Sequence, residues 1–273
     1  MRNSLVLLAA ITLVATACSS DSTGSEAIVD EPPEAPVEAE LPEEVFFIGD
    51  SNTEGISAPF VTLTQARHPG HTIEAQASVN LGVPLSGVFG GSSTRRIQDG
   101  TFDVVVLQED LDKYGIGESS ASIAESFDPA EFMEYVRKFN DEIVAAGAKT
   151  VLYMDWEHDL SDSNSVTIAD IAAAYTSIGE ELGAQVAPVG LAFSKSLSER
   201  PDFDLYIGDR SHANARGQYL AASVLYATIF GTTPEGSVWI TTEMAEEAEM
   251  TEEDSAFLDR IAWQTVTEYL KGS

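Results

Sequence analysis

DVVVLQ, residues 103–108, is a β-branched run with no charge after Asp103, as a strand covered on both faces requires. Such a strand needs helices above and below its sheet. VFFIGD (45–50), TVLYMDW (150–156) and AQVAPVG (184–190) have a similar character, and TIEAQAS (72–78) is a weaker, alternating strand. Helical spacing separates them. DPAEFMEYVRKFNDEIVAAG (128–147) sets Phe132, Val136, Phe139, Ile143 and Val144 on one face, with Asp128 as N-cap, Pro129 and Glu131 in the first turn and Gly147 at the stop. SVTIADIAAAYTSIGEELG (165–183) and NARGQYLAASVLYATIFG (214–231) read as helices closed by Gly183 and Gly231, the latter with Leu220, Val224, Leu225 and Ile229 aligned. A terminal helix ends near Leu270, after an acidic cluster between Glu243 and Asp254 that reads as a solvated face. Strands alternating with helices predict an α/β chain, a three-layer α/β/α sandwich with a mainly parallel five-stranded sheet.

The first residues obey different rules. Arg2 followed by the apolar stretch Leu5–Ala17 has the form of a secretory signal, too short to anchor stably across a bilayer. LVATAC (13–18) resembles the lipobox at which signal peptidase II cuts and a lipid thioether is attached, although Ala15 stands where Leu, Val or Ile is preferred. Cys18 is the only cysteine, so an internal disulfide is impossible and lipidation gives this thiol a reason; a cut near Ala17 with an incidental thiol is the alternative. Residues 18–44 then carry nine acidic residues, four prolines and no Lys or Arg, the composition of a self-repelling disordered tether. The expected organisation is a signal peptide over 1–17, a tether over 18–44 and one folded domain over 45–273, exported and lipid-anchored at the outer face of a membrane. A formal net charge of −31 disfavours nucleic acid and anionic headgroups as partners, leaving the lipid as the expected membrane contact.

Two short stretches carry the chemistry. VFFIGD runs directly into Ser51 and Asn52, and Gly-Asp-Ser-Asn is either ordinary turn chemistry or a serine held at the C-terminal edge of a parallel sheet, where open α/β folds bind ligands. A serine nucleophile needs a base and a group to orient it. Of four histidines, His68 and His71 flank a Pro-Gly turn and read as solvated, and His158 lies in DWEHDL. His212 lies in GDRSHANARG, where Asp209 precedes it by three residues on a loop leading into a helix. Asp-x-x-His lets a carboxylate fold back and orient its own imidazole.

Gly-Asp-Ser after the first strand and Asp-x-x-His before a late helix together resemble the SGNH, or GDSL, hydrolase superfamily, over roughly Val45–Gly231. The resemblance implies a flavodoxin-like sandwich, with Ser51 as nucleophile and Asp209 and His212 as its triad partners. It also implies an oxyanion hole built from the Ser51 N–H, a glycine after the second strand and an Asn in Gly-x-Asn-Asp after the third. Gly82 matches the glycine best, with Gly87 second. The third motif departs from the pattern: VVVLQEDLDKYG contains no asparagine, and Gln108 is the expected substitute donor, with Asn80 in reserve. The function implied is a serine esterase acting on ester-linked acyl groups of carbohydrates or small molecules, with no cofactor and no metal. Asp155, Glu157, His158 and Asp159 are conceivable metal ligands, but no repeated ligand motif accompanies them, and Trp156 is expected to line or pack against the cleft. The rival is a surface lipoprotein that keeps the sandwich and binds a glycan or small ligand without catalysis.

Overall fold

A computed structural model describes residues 41–111, 129–158, 166–236 and 250–272. The signal stretch, Cys18 and all but the end of the tether lie outside these residues, as do Asp128, Asp159 and residues 243–249 of the acidic cluster. Five strands, β1 (Glu44–Gly49), β2 (Glu74–Val79), β3 (Val104–Leu107), β4 (Lys149–Tyr153) and β5 (Gln185–Ala187), form one sheet in the order β2-β1-β3-β4-β5. Every neighbouring pair is parallel. This is the expected flavodoxin-like order, and it places the topological switch point between β1 and β3.

The uncharged runs are explained by the pleat, since successive side chains leave opposite faces of a strand. Val45, Phe47, Val104, Val106, Val151 and Tyr153 enter one core with α1 (Ser57–Arg67), α6 (Val189–Glu199), α7 (Ala215–Phe230) and α8 (Glu252–Gly272). Phe46, Ile48, Val105, Leu107, Leu152 and Met154 enter the other, with α2 (Leu85–Val88), α3 (Ser92–Asp99), α4 (Ala130–Ala145) and α5 (Ile168–Leu182). Both faces of the three central strands are therefore covered. β2 lies at the sheet edge with none of its residues buried, in keeping with its weaker apolar character.

Several expectations are corrected. Pro129 occupies the N-cap of α4 without a side-chain bond, and Val144 is 60% exposed because it lies one residue round the helix from buried Ile143. The strand expected over 184–190 stops at Ala187; Pro188 breaks the ladder and Val189 begins α6. Helix α7 is buried nearly all round, since α1, α6 and α8 pack against it. His68 and His71 are half-buried and bonded to the fold, not freely solvated. Tyr226 hydroxyl and His68 Nε2 lie 3.0 Å apart with the ring against Phe230, and His71 Nε2 bonds Pro42 O at 2.8 Å.

Candidate active site

At the C-terminal edge of β1 the chain makes a single 3-10 turn, Ser51–Thr53, capped by Asp50, whose Oδ1 accepts from the Asn52 N–H. Gly49 is required by close approach: a Cβ there would overlap Thr53 Oγ1 and Gln108 Oε1. Ser51 is the first residue of the turn, so its N–H has no acceptor within it.

The loop from Asp204 to Asn214 reaches the same edge. The N–H groups of Ser211 and His212 both donate to Asp209 Oδ1 at 3.0 Å, and His212 Nδ1 lies 2.7 Å from Oδ2. Arg210 between them has φ 61°, the one non-glycine with positive φ among the described residues, and is held by an Nη1 bond to Asp204 at 2.6 Å. Because a carboxylate only accepts, the neutral imidazole carries its proton on Nδ1 and keeps the Nε2 lone pair toward Ser51. The Ser51 hydroxyl sits 2.9 Å from that Nε2. Partial burial acts upward on the Asp209 carboxyl, but the two N–H donors and the imidazole outweigh it and bring its pKa to about 2. The carboxyl therefore stays ionised at neutral pH. His212 and Asp209 keep 41% and 44% of their side-chain surface exposed, leaving the serine–histidine pair accessible. Ser51, His212 and Asp209, three of the residues singled out from sequence, thus form one hydrogen-bonded chain.

Gln108 does something else. It is 1% exposed; its Oε1 accepts from the Asp50 N–H at 3.0 Å and the Thr53 hydroxyl at 2.7 Å, while its Nε2 donates to Asp155 Oδ2 at 3.1 Å. The expected oxyanion donor is corrected accordingly: the amide is turned into the protein by its buried acceptor. Its neighbours anchor other loops. Glu109 Oε2 accepts the Leu85 N–H at 2.8 Å, fixing the loop that holds Gly82, and the Asp110 N–H donates to Asp50 Oδ2. Gly82 has φ 66° with no atom within 4 Å of a notional Cβ, so the turn and not crowding selects glycine. Gly87 lies in α2, and the Asn80 side-chain NH₂ makes only long hydrogen bonds to Ser78, at 3.3 and 3.4 Å.

The stretch after β4 divides its side chains. Asp155 is fully buried, and Glu157 Oε2 accepts the Ile168 N–H at 2.9 Å. His158 Nε2 lies 3.1 Å from Ser211 Oγ and 3.5 Å from Asp110 Oδ2. Among the described residues no three His, Cys, Asp or Glu side chains form a group suited to a metal. Trp156 packs face to face on Phe193 at 4.4 Å, and its Nε1 donates to Ser211 O at 2.8 Å, next to His212. Burial, then the Asp110 and Asp50 carboxyls, push the Asp155 carboxyl well above the ordinary range; burial, then Asp110, also raises Asp50.

No protein-family profile matches the chain, and no curated protein is similar to it in sequence. Solved structures are similar in fold. A candidate SGNH hydrolase from Slackia heliotrinireducens superposes with a TM-score of 0.54 at 21% identity, covering 68% of this chain and 98% of that one. A DUF4886 family protein from Bacteroides uniformis gives 0.62 at 14% identity, over 82% and 95%. An acetylxylan esterase from Geobacillus stearothermophilus gives 0.58 at 19% identity, over 73% and 97%.

Proposed function

We propose that this chain is a serine hydrolase of SGNH type that cleaves carboxylic esters, with acetyl groups on sugars as the leading substrate class. The observation that carries the reading is the chain Asp209–His212–Ser51, at 2.7 and 2.9 Å. In this reading Ser51 Oγ attacks the ester carbonyl carbon as His212 Nε2 takes its proton, and ionised Asp209 stabilises the imidazolium. The oxyanion is met by the N–H groups of Ser51 and Gly82, neither of which is bonded among the described residues. The tetrahedral species collapses as His212 returns the proton to the departing alcohol. Water, activated by the same imidazole, then releases the acid from the acyl-enzyme. The sugar-acetate preference is supported by the neighbours in fold, two of which are acetylxylan esterases. Export and lipid attachment at Cys18 belong to the same proposal and rest on residues 13–18.

The test is a fluorophosphonate probe together with a panel of acetylated sugars and short-chain aryl esters. Wild type should be labelled at Ser51 and turn over at least one ester, while Ser51→Ala and His212→Ala should each lose ~10³-fold or more in kcat with melting curves near the parent. A well-folded wild type that neither labels nor hydrolyses any ester would reject catalysis and leave the ligand-binding rival, which the inward turn of Gln108 favours.

A further inference from the structure

We infer that Asp155 and Trp156, the second and third residues beyond β4, act together as a bracket that sets the distance between Ser51 and His212; both are positioning residues, and the inference rests on the hydrolase reading. Ser51 and His212 are 161 residues apart in the chain and meet through a single bond of 2.9 Å. Something must hold their two loops in register.

On the serine side the ties converge on Asp155. Its Oδ2 accepts from Asn52 Nδ2 at 3.0 Å and from Gln108 Nε2 at 3.1 Å, and its Oδ1 accepts from the Trp156 N–H at 2.9 Å. Gln108 in turn receives the Asp50 N–H and the Thr53 hydroxyl, and the Tyr153 hydroxyl donates to Asn52 O at 3.1 Å. The residues flanking Ser51 are thus tied to the ends of β3 and β4, while the Ser51 hydroxyl is left to His212. On the histidine side, Trp156 Nε1 donates to Ser211 O, one residue before His212. Adjacent residues therefore hold the two halves of the site, one by a carboxyl and the other by an indole N–H.

Placing a carboxyl where nothing of it is exposed, beside the carboxyls of Asp50 and Asp110, is unfavourable unless its oxygens are fully used. Three donors use them. An amide at position 155 cannot do the same, because both carboxyl oxygens can accept whether or not the group carries a proton, whereas an NH₂ nitrogen accepts nothing: one arrangement sets it against Asn52 and Gln108, and the flipped one sets it against the Trp156 N–H. Either way at least one tie is lost with little change in volume.

The experiment compares wild type with Asp155→Asn, Trp156→Phe and the double variant, measuring kcat and KM on a responsive ester, the fluorophosphonate labelling rate, and the unfolding midpoint on the same preparations. Phe keeps the ring on Phe193 and removes only the donor. A misplacement of about 1 Å lowers turnover by ~10²-fold, so each single variant should lose ~10- to 100-fold in kcat and in labelling rate, with KM within roughly threefold. The double variant should lose less than the product of the two, because both act on one distance. Residues that serve only stability would lower the midpoint and leave kcat per folded molecule intact, and that result overturns the inference. If Asp155→Asn does not fold, Trp156→Phe and Asn52→Ala decide from the two loops, and wild-type kcat in both overturns it equally. A wild type that is folded, unlabelled and inactive fails earlier, by removing the reading on which the bracket rests.

Discussion

Asp259 shows most directly what burial does to one residue. It is 2% exposed between α7 and α8, and its Oδ1 receives the Tyr219 and Ser223 hydroxyls. Burial raises its pKa to about 7; the two hydroxyls pull partly back, Glu235 adds to the rise and Arg67 opposes it. The folded state therefore binds this proton more tightly than the unfolded state, where the carboxyl titrates near 3.8. Its contribution is fully present below about pH 4 and is lost as pH rises through about 7, a difference of about 4 kcal/mol at most. Asp259→Asn keeps an acceptor for both hydroxyls and cannot ionise. It should melt higher than wild type at pH 8, with the gap closing toward pH 5, and parallel melting curves across that range would refute the account. At this same scale Ser51, Asp209 and His212 could be singled out from the sequence, because Gly-Asp-Ser and Asp-x-x-His are local motifs that together resemble one superfamily, and Asp209 bonds a residue three positions away. Gln108 could not. The direction of its amide is set by Asp155, 47 residues on, and only the packed structure brings the two together.

Among the elements, α7 matters most to the site, because its N-cap residue is tied to the loop that carries His212. Asn214 caps the helix by accepting the Arg216 and Gly217 N–H groups at Oδ1, while its Nδ2 donates to Asp204 O and Tyr206 O. Asn214→Ala should lower stability by about 1–2 kcal/mol, the ordinary effect of a lost cap with added unpaired carbonyls. Asn214→Asp keeps the cap but removes both donors, so it should slow turnover more than it lowers the melting temperature. Turnover at the wild-type rate in Asn214→Asp would show that the 204–212 loop holds itself. The long helices α4, α5 and α7 were readable because apolar positions recur at 3.6-residue spacing and glycines mark their ends. α6 was not, since PVGLAF continues the apolar run of β5 and a short apolar run has no period to assign it.

For the whole molecule the open prediction concerns where it sits. If Cys18 is lipidated, an alkyne fatty acid should label the expressed protein, and Cys18→Ser should move it from the membrane fraction to the soluble one. Wild type found wholly in the soluble fraction would reject the anchor, and the acidic residues of 18–44 would then be a tether to nothing. No helix among the described residues is long and apolar enough to cross a membrane. The α/β class and the parallel strands followed from residue order, because period and short spacing act over a few residues, and the serine, aspartate and histidine were singled out by two local motifs whose combination resembles one superfamily. The meeting of Ser51 with His212, the inward turn of Gln108 and the tie of Asp155 and Trp156 to both loops did not. They come from the sheet order β2-β1-β3-β4-β5, which gathers the ends of β1, β3 and β4 at one edge and lets residues far apart in the chain compete for the same buried hydrogen bonds.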